Sequence, residues 1–200
     1  MDEITEKQMM QHCIHLSSTA PRQELPIACV ICDGHNIVAE GTNEVKRNSD
    51  VTRHAEVVAI ARAQKFLKRK NLFHCTLYTT VEPCPICSFA IRETQISRVI
   101  YAMSSPLMGG MSKWNILRDT ELSDVIPEIF GPVPEVVGNV LWKEAAEVWS
   151  QWNPIAWQII KYRQCFGPEP INDGNNYFPP IASSANWLKQ LVLAAFQRSQ

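Results

Sequence analysis

A chain of 200 residues, 46% hydrophobic and 20% charged, has the composition of a globular protein, which excludes disorder and collagen-like repeats. Lys and Arg number 19 against 20 Asp and Glu, and the resulting formal charge of −1 argues against a nucleic-acid partner. The longest apolar runs, 27–32 and 191–196, fall far short of the ~18 residues that span a bilayer, so no membrane partner is expected.

The chain begins Met1-Asp2-Glu3-Ile4, acidic where a secretory signal would be basic and then apolar, and the expected address is cytoplasmic. Seven cysteines make an odd number without the dense spacing of a disulfide framework, which points to reduced thiols, some of them free to bind metal. Residues 4–18 place Ile4, Met9, Met10, Cys13, Ile14 and Leu16 at helical spacing, and the Pro21 region ends that segment. The β-rich run 26–32, the turn residues 33–36 and the run 37–41 read as a hairpin. From His54 to Lys70 there is neither Gly nor Pro, and Val57, Val58, Ile60, Ala61, Phe66 and Leu67 share one helical face. Residues 75–81 read as a strand stopped by Pro83, 85–95 as a helix and 97–102 as the next strand. Strand–helix alternation from residue 75, joined to an antiparallel hairpin, predicts a mixed-sheet α/β sandwich.

Beyond Ser105 the pattern weakens. Residues 136–141 read as a further strand, and 143–163 as a helix that Pro154 kinks or divides. Residues 167–186 look irregular, and 186–198 form a last amphipathic helix. The domain division expected is 1–165, with the motifs inside 1–105, followed by an extension over 166–200 packed on the domain or on a partner subunit. All six tryptophans lie after Ser105; Trp142, Trp149, Trp152 and Trp157 follow a helix stripe that suits a core or a dimer contact. Trp114, in a loop, is either a surface aromatic or a cover for a flat base.

Two local motifs carry chemistry: His54-Ala55-Glu56 at one helix start, and Pro83-Cys84-Pro85-Ile86-Cys87 at another. Pro85 suits the first helical turn, which puts Cys84 at the cap and Cys87 inside that turn. A helix N-terminus carries partial positive charge and favours the thiolate that a metal requires. Two thiolates and an imidazole make a three-ligand zinc set with a fourth position left for water, as catalytic sites need. Glu56, two residues past His54, projects near the metal without binding it. Taken singly, each feature has an ordinary explanation: a chance Cys-x-x-Cys, a surface His, a Glu complementing a helix dipole. Their conjunction at two helix starts favours the zinc reading. Cys29 and Cys32 raise a second option, a four-cysteine structural site, but residues three apart on a strand face opposite ways, and small buried hydrophobes fit them better.

These two motifs resemble the His-x-Glu and Pro-Cys-x-x-Cys signature of the zinc-dependent cytidine and deoxycytidylate deaminase superfamily. The likeness runs from the first helix to Ala102, about half the chain. The His-Ala-Glu form is similar to the branch that holds guanine deaminase, cytosine deaminase and tRNA adenosine deaminase, whereas classical cytidine deaminases have Cys at the position of His54. The resemblance implies a cytidine deaminase-like, three-layer α/β/α sandwich with a mixed central sheet. It further implies one zinc (Zn2+) per chain held by His54, Cys84 and Cys87, and Glu56 as the proton carrier. The Ala55 N–H is implied as a donor to the new oxygen. Gly41-Thr42-Asn43 matches a Gly-x-Asn whose Asn reaches the base or sugar; an ordinary turn Asn is the equal alternative. The implied activity is hydrolytic deamination of a small-molecule nucleobase or nucleoside, and the implied assembly is a homodimer. Pro85 resembles the guanine deaminases and tilts the expectation toward a guanine-like purine.

Two alternatives stay open. One is tRNA adenosine-to-inosine editing, which the near-neutral charge opposes. The only basic cluster visible in the sequence, Lys65, Lys68, Arg69 and Lys70, falls at the far end of the His54 helix, about 20 Å from the metal at 1.5 Å per residue. The chain after Ala102 also departs from the short ending of those enzymes. The other alternative is a catalytically dead zinc-binding module, which would have no need of Glu56.

Overall fold

The computed structural model describes residues 3–167. Helix α1 (Glu3–Ser18) leads into the antiparallel hairpin β1 (Ala28–Asp33) and β2 (Asn36–Thr42). One helical turn, α2 (Val45–Asn48), precedes α3 (Ala55–Leu67). The unit β3 (Cys75–Val81), α4 (Pro85–Glu93), β4 (Arg98–Met103) then pairs β3 and β4 in parallel. A 3₁₀ turn at Ile116–Arg118 and the short helices α5 (Thr120–Val125) and α6 (Pro127–Phe130) lead to β5 (Glu135–Val137). Helices α7 (Trp142–Trp152) and α8 (Pro154–Tyr162) close the described chain. The sheet order is β2-β1-β3-β4-β5, with β1 antiparallel to β2 and β3 and the other pairs parallel.

Alternation along the strands sorts the core into two halves. Ala28, Val30, Cys32, Tyr78 and Ile100 face α1, α7 and α8, where they meet Met10, Cys13, Trp149, Trp157 and Ile160. Cys29, Ile31, Leu77 and Val99 face α3 and α4, and meet Ala55, Ala59, Ala63 and Ile91. The expected three-layer α/β/α sandwich with a mixed sheet is what the chain forms. Cys29 and Cys32 lie on opposite faces, each fully buried, and behave as small apolar residues. On the α1 side Trp149 is the hub, with ring centroids 5.7 Å from Trp152, 6.2 Å from Trp157 and 5.2 Å from Phe166.

Gly41 sets the close packing of β2 on α3: a Cβ there would lie 2.5 Å from the Ala55 carbonyl oxygen and 2.9 Å from the Ala59 nitrogen. The site helix can therefore start directly against the sheet edge.

Two boundaries differ from the sequence reading, and a third is settled between its two options. Helix α3 stops at Leu67 because Lys68 turns left-handed at φ 52°, which frees Arg69 to pair with Asp33 at 2.9 Å. Strand β5 covers only 135–137, because Asn139 and Leu141 take positive φ and break the extended run expected to Leu141. Pro154 divides the expected 143–163 helix outright, and Asn153 caps the second half by accepting from the Ala156 N–H at 3.0 Å. Described packing reaches Gly167, whose backbone pairs with Ser104 at the end of β4. The irregular stretch, Trp187 and the final helix expected over 186–198, and with them nearly all of the expected 166–200 extension, lie outside the described residues. No helix among the described residues is long and apolar enough to cross a membrane.

Candidate metal centre and active site

Two helix N-termini meet at the centre. His54 is the N-cap of α3, extended at φ −68° and ψ 151°, and its side chain makes no capping hydrogen bond. Cys84 is the N-cap of α4, likewise extended and uncapping, with Pro85 at the first helical position. Both residues thus project beyond their helices. Cys87, one turn into α4, completes the triad and is buried.

The ligand atoms converge. Cys84 Sγ lies 3.3 Å and Cys87 Sγ 3.5 Å from His54 Nδ1, and the sulfurs are 3.6 Å apart. Tetrahedral zinc, with bonds of about 2.3 Å to sulfur and about 2.0 Å to nitrogen, sets ligand separations of about 3.5–3.8 Å. The three residues fit the ion, and His54, Cys84 and Cys87 are the one group among the described residues with this geometry.

Glu56 is 4% exposed and sits against this triad. Its Oε1 accepts from the Thr79 hydroxyl at 3.1 Å, and its Oε2 from the Cys87 thiol at 3.3 Å. Burial pushes the carboxyl above its ordinary range. The hydrogen bond from Cys87, helped by His54, brings the Cys84 thiol down to about 4, while that same pairing and burial push Cys87 up. The hydrogen bond to Cys84 raises the His54 imidazole.

Ala55 opens α3, where a backbone N–H has no intrahelical acceptor. Asn43 follows β2 and is 6% exposed; its Nδ2 donates to Glu24 at 2.8 Å. Trp114 is 57% exposed, and among the described residues no hydrogen bond or ring contact ties it to the triad.

Two arrangements escape a linear reading. The first is Glu82, 3% exposed, beside Pro83 and Cys84. Its Oε1 accepts from the Met111 and Ser112 amides at 3.1 and 2.7 Å, and its Oε2 from the Ser105 amide and the Ser112 hydroxyl at 2.7 and 2.8 Å. Gly110 donates to the Pro83 carbonyl at 2.7 Å, so the 105–112 loop lies on the start of α4. Gly109 permits this: a Cβ there would stand 2.1 Å from Glu82 Oε1. The Gly109-Gly110 pair was the available signal. The second is a group of cations at the near end of α3. Arg47, Arg53 and Arg62 all reach the buried Glu44 carboxylate, at 2.7, 2.6 and 2.9 Å, and Arg53 adjoins His54. The expectation against nucleic acid rested on the near-neutral charge and on a single basic cluster at the far end of that helix, and folding adds this second group beside the site.

A family model described as the cytidine and deoxycytidylate deaminase zinc-binding region matches residues 3–103. The chain is 31% identical over 148 residues to the tRNA-specific adenosine deaminase of Haemophilus influenzae, covering 72% of this chain and 80% of that one. It is 36% identical over 148 residues to the tRNA(Ile)-lysidine synthase of Deinococcus deserti, covering 74% of this chain; it spans about a quarter of that relative's length, 26%. A solved structure from a study of A-to-I editing by tRNA:A34 deaminases at the wobble position superposes with a TM-score of 0.61 at 26% identity, over 70% of this chain and 99% of that one.

Proposed function

The chain belongs to the cytidine and deoxycytidylate deaminase family, and from that premise we propose that it is a zinc-dependent hydrolase that converts adenosine in tRNA to inosine. The observation that carries the hydrolytic reading is Glu56, a buried carboxylate aimed at the His54, Cys84 and Cys87 triad and held by Thr79. A binding module would need the three ligands but not this acid.

His54, Cys84 and Cys87 would hold the ion, which when bound acts as a Lewis acid and acidifies a water molecule. Glu56 would take a proton from a water molecule beside the triad and pass it to N1 of the purine ring. A C–O bond forms at C6, the C–N bond to the exocyclic amine breaks, and Glu56 relays the second proton to the amine, which leaves as ammonia. Thr79 keeps Oε1 oriented while Oε2 carries the transfers. The Ala55 N–H, at a helix start, is proposed to meet the new oxygen, and Asn43 to offer Oδ1 to the base or sugar. Trp114 as a cover for the base has its exposure as its sole support.

Adenosine in tRNA displaces the guanine-like purine expected from Pro85. Relatives at 31% and 36% identity carry tRNA in their names, while Pro85 has its role at the start of a helix. Seven free cysteines support a reducing, cytoplasmic setting. A homodimer is proposed as the assembly. The test of substrate is a panel of free bases, nucleosides and an adenosine-containing tRNA stem-loop, read as ammonia release and as inosine. Inosine in the stem-loop is the expected result. Turnover of guanine or another free base, with the stem-loop inert, overturns the reading.

A further inference from the structure

The three arginines on Glu44 come from separate elements: Arg47 from α2, Arg53 from the turn before α3, and Arg62 from two turns along α3. Glu44 Oε1 takes Arg47 at 2.7 Å and Arg62 at 2.9 Å, and Oε2 takes Arg53 at 2.6 Å. Only the carboxylate is buried. The Glu44 side chain is 4% exposed, whereas those of Arg47, Arg53 and Arg62 are 50%, 37% and 52% exposed, so the face presented to solvent is cationic. The other acids close by are turned inward or locally engaged. Glu24 is fully buried and accepts from Asn43 and from the Arg47 amide, and Asp50 accepts from both the amide and the hydroxyl of Thr52. Each guanidinium has five N–H donors, of which the contact to Glu44 uses Nη2 in all three arginines.

Position ties this face to the site. The Glu44 amide donates to the Arg53 carbonyl at 2.9 Å, which clips the stretch after Asn43 to the residue before His54. A polyanion lying along this face would pass one residue from a metal ligand. We propose that Arg47, Arg53 and Arg62 form a phosphate-binding patch for the RNA backbone beside the reacting nucleoside, with Glu44 as the buried strut that holds the guanidiniums together. Planar guanidiniums suit this task, since each can grip a phosphate through paired N–H donors. The inference rests on RNA being the substrate; a mononucleotide offers the same phosphate chemistry and is an arm of the test.

The experiment measures binding of a labelled adenosine-containing stem-loop by fluorescence anisotropy over a range of salt, with zinc content matched between variants. Each phosphate that a variant no longer neutralises lowers the steepness of log affinity against log salt by about 0.7–0.9. Arg47→Gln combined with Arg62→Gln should lower it by about 1.5, and the lysine pair at the same positions should keep most of it. Arg53 is left in place because it adjoins His54. The far-end control, Lys65→Gln with Lys68→Gln, should leave the steepness unchanged. An unchanged slope in the double arginine-to-glutamine variant, a reduced slope only in the far-end control, or no binding by the parent overturns the patch. Displacement of the stem-loop by adenosine monophosphate at the same concentrations as unlabelled RNA assigns the arginines to a mononucleotide and overturns it too. Inosine formation followed in parallel separates the two readings. Binding through the arginines without inosine defeats the substrate reading alone, and inosine with unaltered slopes defeats the patch alone.

Discussion

Glu44 shows how one side chain is held charged inside a protein. Burial raises its carboxyl, and the Arg53 hydrogen bond with the charges of Arg47, Arg62 and Arg53 outweighs that, leaving it below the ordinary value of 4.5. A carboxyl lowered on folding contributes stability at pH above its unfolded value and loses it as pH falls through the folded one. Glu44→Gln should therefore melt lower than the parent at neutral pH, with the gap closing as pH drops below about 4.5. Calorimetry across that range checks this, and a gap that persists undiminished into acid would show that the arginines do not set the charge. The ligands were legible at this scale, because Pro85 and the polar helix starts mark where His54, Cys84 and Cys87 stand. The arginines were not: positions 47, 53 and 62 share no helical face, and only the turn between α2 and α3 brings them onto one carboxylate.

Among the elements, the loop over 105–112 depends on a single acid. Four donors end on Glu82, and the carboxylate has no cation beside it among the described residues, so its worth lies in hydrogen bonds made away from water. Glu82→Gln would turn an amide NH2 toward donors, and Gly109→Ala would drive a methyl into the same carboxylate. Each should cost about 1–3 kcal/mol in urea unfolding and raise amide exchange across 105–112 first. Effects below about 0.5 kcal/mol for both would remove Glu82 as the anchor of this loop. A Glu before Pro carries no mark of such an anchor in the sequence, and the loop-like Gly109-Gly110 pair is the local feature that allows the close approach. Strands β1 to β4 were legible because runs rich in apolar, β-branched and aromatic residues are bounded by turn residues and Pro83, and β1, β3 and β4 are buried along nearly their whole length. Strand β5 was overextended, since nothing in its composition announces the left-handed Asn139 and Leu141.

At the scale of the whole molecule, the two faces of the sheet serve different ends. One packs α1, α7 and α8 around Trp149; the other carries α3 and α4, whose N-termini meet at the triad. The tryptophan stripe was readable as a core or dimer contact, and the fold packs Trp149 and Trp157 into the core on the α1 face. Large apolar side chains left open on α4, Ile86 at 49% and Phe89 at 44%, accord with the proposed homodimer. Light scattering should then give twice the chain mass of 22.7 kDa, and a monomer at micromolar concentration would rule the dimer out. The central claim is that Glu56 moves protons at a zinc held by His54, Cys84 and Cys87. Its most direct test is Glu56→Ala assayed on the tRNA stem-loop beside the parent, with metal counted in both. About one zinc per chain is expected in each protein, with a rate lower by at least ~10²–10⁴ in the variant. Turnover by Glu56→Ala as fast as the parent, at equal zinc, would contradict it.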